Sequence, residues 1–478
     1  MSVRDPMGEP FRDLVIAIPG ILGTELLKDG KREWGLSSHA VVKNLITGGR
    51  HLARTLAVPL GSDPAEFRGD GVKPGSVIKG LAAIPGLGGV DLYGSLERAL
   101  RAHLALAPQQ LAWFGYDWRL SCRVSGAALV SFIERRLEEW RRESRFASAR
   151  VVLVAHSMGG LVAQWASIVL RDSDVVRHVV TIGTPFKGSA EAITTLVNGG
   201  RFAQLVEVAA FARSLPSMYE LIPQYQCVGS EQLDSGHAGE RPTSQGEDRR
   251  LRGDAYLLDV LDNPDLRARV SAASLFHDSL RKGEEATAAK LICFRGVVHD
   301  TATFLRSIGA RLEGVTLPRG GVGSGDGVVP SDSAIPASWT RPELAKFVSQ
   351  RHTTLAGSTQ IGPELAAALR HSGRLMAVRP VAGVTCPNTI MAGDDLTLTC
   401  SVADHSGSQL RPSLTLTLVA VESKIPPAVY NPAASARGYI FRIGVLKPGL
   451  YRWTIAGPES RPNVPDPVSD YLAVLGDK

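Results

Sequence analysis

The sequence predicts an α/β layered fold followed by an all-β C-terminal part, on three observations. Short, nearly continuous apolar runs alternate with amphipathic stretches over about the first 370 residues. Those runs are rich in β-branched residues, the composition of parallel strands covered on both faces. Beyond about residue 378 helical periodicity stops, and short alternating runs separated by turn residues take over.

In chain order the predicted strands of the first part are Leu14–Ile18, Leu111–Phe114, Val151–Ala155, His178–Ile182, Leu291–Val298 and, with the weakest pattern, Lys346–Ser349. Amphipathic stretches lie between them. Ser131–Arg142 sets Phe132, Leu137 and Trp140 among charges, and Leu161–Leu170 follows the strand at 151 closely. Strand, helix, strand at this spacing implies right-handed crossovers. Two insertions interrupt the pattern, one over about 34–89 and one over about 189–290, and both are read as cap or lid. The expected division is 1–377 for the α/β domain and 378–478 for an antiparallel, immunoglobulin-like β-sandwich. Its strands are predicted at Asp395–Val402, Ser413–Val419, Tyr439–Val445, Leu450–Ile455 and Tyr471–Leu475, with Leu396, Leu398, Cys400 and Val402 on one face.

Composition removes several function classes. The chain has 478 residues, 44% hydrophobic and 21% charged, which is globular rather than disordered. Its net charge of +6 is mild for this length, and it carries no zinc-finger spacing or long basic run, so no nucleic-acid partner is expected. A weak preference for anionic membrane surfaces, hence peripheral contact, stays open. The first residues lack the pattern of a secretory signal, and no run of about 18 apolar residues occurs, so the expected location is cytoplasmic. Five scattered cysteines (122, 227, 293, 386, 400) then read as reduced thiols, although Cys386, inward on a strand neighbouring that of Cys400, could pair with it in an exported protein.

The strongest chemical signal is Val151–Gly160, VVLVAHSMGG. A buried strand runs into a sharp turn at Ser157 and a helix follows at once. This is the nucleophile elbow of an α/β-hydrolase fold, with Ala155 in place of the usual first glycine. The turn demands small side chains two positions before and after the serine, and Ala155 and Gly159 supply them. The elbow exposes the hydroxyl and frees the Met158 N–H to face a developing oxyanion, beside the positive end of the helix.

Such a serine needs a base, and the base needs an orienting carboxylate, in the chain order Ser, acid, His. The histidines after Ser157 are His178, His237, His277, His299, His352, His371 and His405. His352 lies just past the last predicted strand, where the base belongs, with His299 in reserve. For the acid, the glycines of GGVGSGDGVVP let a tight loop present Asp326, with Asp300 and Asp332 as alternatives. A second oxyanion donor is expected from the glycine-bearing loop after Leu14–Ile18, at the Ile21 N–H.

With these pieces in place, the chain resembles the lecithin:cholesterol acyltransferase family. The matching segments are AIPGILGTEL (17–26) with Trp34 after it, LAAIPGLGGVDLYGSLERAL (81–100), FGYDWRLS (114–121), AHSMGG (155–160), IGTPFKGS (182–189), GDGVVP (325–330) and RHTTLAG (351–357). They span about residues 14–370, and Val328 stands where the family pattern has Thr. The resemblance implies that Ser157, Asp326 and His352 are the catalytic residues, and that Ile21 and Met158 are the oxyanion donors. It also implies acyl-ester chemistry on lipids.

The expectation is therefore a serine acyl-ester hydrolase or O-acyltransferase acting on lipid or other hydrophobic esters, with no cofactor and no metal. Apolar residues Leu205, Val206, Phe211 and Leu221 are candidates for the acyl pocket and equally for lid core. Tyr116, Asp117, Trp118 and Arg119 read as a loop-fixing block near the site. The competing class is a binding or regulatory protein, in which residues 378–478 meet a protein partner and the hydrolase part is inactive or gated.

Overall fold

Alternate residues of the first apolar strand divide between two cores. Leu14, Ile16 and Ile18 sit in one apolar cluster, whereas Val15 and Ala17 sit in the other. Leu153 and Ala155 join the first, and Val152, Val154, Val180 and Ile182 join the second. Successive side chains of a strand point to opposite faces, so these clusters are the two sides of one covered sheet. The computed structural model describes residues 10–35, 54–59, 61–80, 91–199, 208–229, 251–260, 263–284, 289–308, 311–316, 324–339, 345–370, 380–404, 408–421, 425–436, 438–458 and 464–476.

The sheet has six strands in the order Lys346–Val348, Lys290–Gly296, Val176–Ile182, Val151–His156, Leu14–Ile18 and Leu111–Trp113. Every pairing in it is parallel. Helices Cys122–Ser144, Gly159–Val169 and Pro264–Glu284 cover one face through Ile133, Leu137, Leu161, Val270 and Phe276. Helices Gly94–Leu104 and Ile361–Leu369 cover the other through Leu96, Leu100, Ile361 and Leu365. The apolar face of Pro264–Glu284 thus makes this end of the 189–290 insertion a layer of the core. The chain steps from 14–18 outward to 111–113, then crosses back to 151–156 on the other side. Strand order reverses between 14–18 and 151–156, and such a reversal opens a crevice at the carboxyl ends of the strands.

The predicted strand over 291–298 ends at Gly296. Val298 has a φ of 65°, which breaks the extended run, and the next residue, His299, bridges in parallel to Asp326. Two small sheets flank the main one. Thr24–Lys28, Lys31–Trp34 and Val72–Val77 form the first, and Gln226–Gly229, Leu251–Arg252, Phe304–Ile308 and Arg311–Val315 the second.

Residues 381–475 form two further sheets, with antiparallel pairing except between Thr389–Met391 and Val468–Leu475. They enclose one core of their own, in which Leu398, Val402 and Phe441 of one sheet meet Leu416, Trp453 and Leu472 of the other. Strand Asp395–Ala403 alternates exposed and buried, with Leu396, Leu398, Cys400 and Val402 inward. All five cysteines are buried free thiols. Among the described residues no helix is long and apolar enough to cross a membrane.

Candidate active site

Ser157 lies between the strand ending at His156 and the helix starting at Gly159. Its φ of 53° places it in the left-handed region, a conformation that costs a non-glycine residue about 1–3 kcal/mol. The turn is held because the Ser157 N–H donates to the Ile182 carbonyl at 2.9 Å. The surroundings leave no room for side chains. A Cβ at Gly159 would strike the Pro19 carbonyl, and one at Gly160 would strike Thr184. A Cβ at Gly20 would lie 2.9 Å from the Ser157 Cβ, so the 19–24 loop rests its backbone against the serine.

That loop is tied down at almost every carbonyl. Pro19 O accepts from Tyr116 Oη at 3.0 Å, Gly20 O from Gly23 N at 3.1 Å, Leu22 O from Trp34 Nε1 at 2.8 Å and Thr24 O from Trp118 Nε1 at 3.0 Å. Of the expected oxyanion donors, Met158 follows Ser157 at the head of the 159–169 helix, and Ile21 follows Gly20 on this loop.

The Tyr116–Arg119 block, whose Tyr116 and Trp118 hold that loop, is itself anchored by a buried ion cluster. The Arg119 guanidinium is fully buried, donating to Asp117 Oδ2 at 2.8 Å, Asp70 Oδ1 at 2.9 Å and the Leu56 carbonyl at 2.9 Å. Replacing Arg119 by Met would strand Asp117 without its partner. Breaking a buried pair in this way costs about 3–5 kcal/mol, expected as a lowered urea midpoint at unchanged slope. A loss below about 1 kcal/mol would mean the pair behaves like a screened surface pair.

His352 completes a chain of short contacts. Its Nε2 lies 2.8 Å from Ser157 Oγ and its Nδ1 lies 2.7 Å from Asp326 Oδ2. Its backbone N–H donates to the Asp326 carbonyl at 2.9 Å, which locks the two loops together. Asp326 is 1% exposed, and its other oxygen accepts from the Val328 and Val329 amides at 2.9 and 2.7 Å. Burial pushes this carboxyl up, but the His352 charge and hydrogen bond, with the Val329 and Val328 amides, hold it below its ordinary value of 3.8. Gly327, at φ 91°, makes the turn after it.

The other weighed residues fall elsewhere. His299 is fully buried, and its Nδ1 accepts from the Val384 N–H at 3.1 Å. Asp300 bonds the Thr385 hydroxyl, and Asp332 is 60% exposed beside Arg295. His277 lies in the helix layer, its Nε2–H donating to the Glu220 carbonyl at 2.7 Å, and His178 belongs to the 176–182 strand. His237, His371 and His405, like Leu205 and Val206, lie outside the described residues. Leu221 is packed in the main core, with half-buried Phe211 against it.

Two positioning residues escaped the sequence reading. Tyr93 Oη accepts from the Gly20 N–H at 2.9 Å and lies 3.0 Å from His156 Nδ1. His156 Nε2 lies 3.0 Å from the His352 carbonyl. A tyrosine has one proton to give, so Tyr93 donates to Nδ1 and His156 Nε2–H donates to His352. The 19–24 loop is thereby wired to the histidine loop. A polar residue at the buried end of a strand was the available signal, since such a group must find a partner.

Burial pushes His156 and His299 down to about 3 and His277 down to about 4, all from an ordinary value of 6.5. The nearby His352 and Arg351 charges add to the shift at His156 and His299 respectively. Below pH 6.5 the unfolded chain takes up protons that the folded chain refuses, so stability falls as pH drops from there toward the folded values. Thermal midpoints are expected to show no fall from about pH 7.5 to about 6.5 and to fall from there to about pH 4.5. A flat profile would sink this account.

Residues 104–248 match the lecithin:cholesterol acyltransferase family model. The resemblance read from the motifs is thus borne out over a segment that contains Ser157. A stretch of 100 residues is 35% identical to the uncharacterized protein YJR098C of Saccharomyces cerevisiae. That stretch is 21% of this chain, and the chain spans only 14% of that relative's length. Among solved structures, the mature lipase BlEst2 of Bacillus licheniformis is similar at 14% identity and a TM-score of 0.35, over 76% of this chain and 96% of that one. Phospholipase PlaB of Legionella pneumophila is similar at 11% identity and a TM-score of 0.26, over 80% and 89%.

Proposed function

We propose that the protein is a serine acyl-ester hydrolase or O-acyltransferase acting on lipid or other hydrophobic esters through an acyl-enzyme. The observation that carries this is the unbroken run from Ser157 Oγ through both nitrogens of His352 to the buried Asp326 carboxylate. Ser157 Oγ attacks the ester carbonyl carbon while its proton passes to His352 Nε2. Asp326 fixes the Nδ1–H tautomer and stabilises the imidazolium. The Ile21 and Met158 N–H groups hold the tetrahedral oxyanion, at about 10²–10³-fold in rate per donor. Collapse breaks the ester C–O bond, and the leaving alcohol takes the proton from His352. Water, or an alcohol acceptor, then attacks the acyl-enzyme and gives its proton to His352, and the acyl–Oγ bond breaks as His352 returns that proton to Ser157. The acyl chain lies against Phe211, which is half-buried beside Trp118 and packed on the core that holds Leu221.

We also infer that 378–478 is a separate immunoglobulin-like domain. In chain order its strands take the places A, B, E, D in one sheet and A′, G, F, C, C′ in the other, the order that supports this assignment.

The test is labelling with a fluorophosphonate, in which Ser157 Oγ would displace fluoride from phosphorus. The adduct is expected on the peptide carrying Ser157, and a mixed lipid extract is expected to lose esters to free fatty acid or new esters. An unlabelled, folded protein would leave the binding or regulatory reading in possession.

A further inference from the structure

His352 opens a helix of only four residues, so no long element of its own holds the imidazole in place. The segment around it is fastened instead to residues beyond 380. Ser349 Oγ donates to the Ala382 carbonyl at 3.0 Å and accepts from the Ala382 N–H at 3.1 Å. Gln350 donates to the Pro467 carbonyl and accepts from the Ser469 N–H, both at 3.0 Å. Thr354 Oγ1 donates to the Ser469 carbonyl at 2.6 Å.

Arg351 is the centre of this junction. Its side chain is 5% exposed and its Nε donates at 2.6 Å to Asp470, itself 4% exposed. Nη1 donates to the Val384 carbonyl at 3.1 Å, and Nη2 to Asn388 Oδ1 at 3.0 Å and the Cys386 carbonyl at 3.4 Å. The guanidinium lies 6.0 Å from the Trp453 ring centre, and 3.3 Å from where a Cβ on Gly327 would stand. One planar cation therefore touches the C-terminal module, the turn after Asp326 and, through its own backbone, His352. His299 adds a second tie, its Nδ1 accepting from Val384 N while its backbone N–H donates to the Gly325 carbonyl at 3.0 Å.

We propose that the C-terminal module is part of the catalytic apparatus, and that Arg351 is the positioning residue through which it holds the His352 and Asp326 loops in register. The inference rests on the serine-hydrolase reading above. A site of this kind must be held to within about 0.5 Å of its working geometry, and a displacement of about 1 Å can cost 10²-fold in rate. Lysine at 351 would keep the charge toward Asp470 but could not reach Val384, Cys386 and Asn388 in one plane.

The experiment uses the full chain and a short soluble ester, p-nitrophenyl butyrate, well below the thermal midpoint of every variant. Arg351→Ala is expected to lower kcat by about 10²-fold with KM within about two-fold of wild type. Added guanidinium ion is expected to restore part of the loss, and Arg351→Lys to fall between the two. Gln360→Ala removes a contact at 2.7 Å to Asp466 of the same module, away from the Arg351 junction, and is expected to keep wild-type kcat. If Arg351→Ala does not fold, Arg351→Lys and Asp470→Asn carry the comparison. Wild-type kcat in folded Arg351 and Asp470 variants overturns the proposal, as does a loss explained entirely by the unfolded fraction. An unreactive wild type would instead overturn the hydrolase reading itself.

Discussion

Ser157→Ala is expected to lower kcat for ester hydrolysis by on the order of 10⁶-fold, and to abolish fluorophosphonate labelling. The size follows from the arrangement rather than from the hydroxyl alone. His352 Nε2 sits 2.8 Å from Ser157 Oγ and has no other reacting partner to serve. Removing either side chain therefore disables the same step. The double variant Ser157→Ala, His352→Ala is expected to be no worse than the single one, because residues acting as a unit lose their effect once. The substitution keeps a Cβ at φ 53°, so the backbone strain at the elbow stays and the thermal midpoint should change little. Single-turnover release of p-nitrophenol measures the rate. A variant retaining more than about 1% of wild-type kcat would sink the assignment of Ser157 as nucleophile.

Asp326→Asn is expected to lower kcat by about 10⁴-fold. One oxygen of this carboxylate accepts from Val328 N and Val329 N, and the amide oxygen of Asn can keep those bonds. The other faces His352 Nδ1 at 2.7 Å. The Asn amide would present N–H there, so the imidazole must turn its lone pair to Nδ1 and carry its proton on Nε2. A protonated Nε2 cannot take the proton of Ser157. The loss is therefore in kcat, with KM near wild type and fluorophosphonate labelling slowed by a similar factor. A fall of less than about ten-fold would mean that the carboxylate does not set the tautomer.

Legibility followed the range of the constraint. The elbow was visible in six consecutive residues because its demand is local: a left-handed serine tolerates only small neighbours, and Ala155, Gly159 and Gly160 supply them. Asp326 and His352 could be chosen because a glycine-rich loop and the end of a strand are themselves sequence features, and chain order excluded every Asp and His before Ser157. Strand alternation in 395–403 was equally plain, since an apolar face with period two reports its own burial. The short strands Val381–Thr385 and Thr389–Met391 were not anticipated, because three to five residues carry too little periodicity.

Ser157, Asp326 and His352 could be singled out as candidates from the chain alone, because each is announced by residues within a few positions of it. Only the tertiary structure decided what holds them. Tyr93 meets His156 across 63 positions, His156 meets His352 across 196, and Arg351 meets Asp470 across 119. Such contacts are made by surfaces that become neighbours only after the layers pack. A buried polar group demands a partner, but nothing in its local sequence says which one will be there.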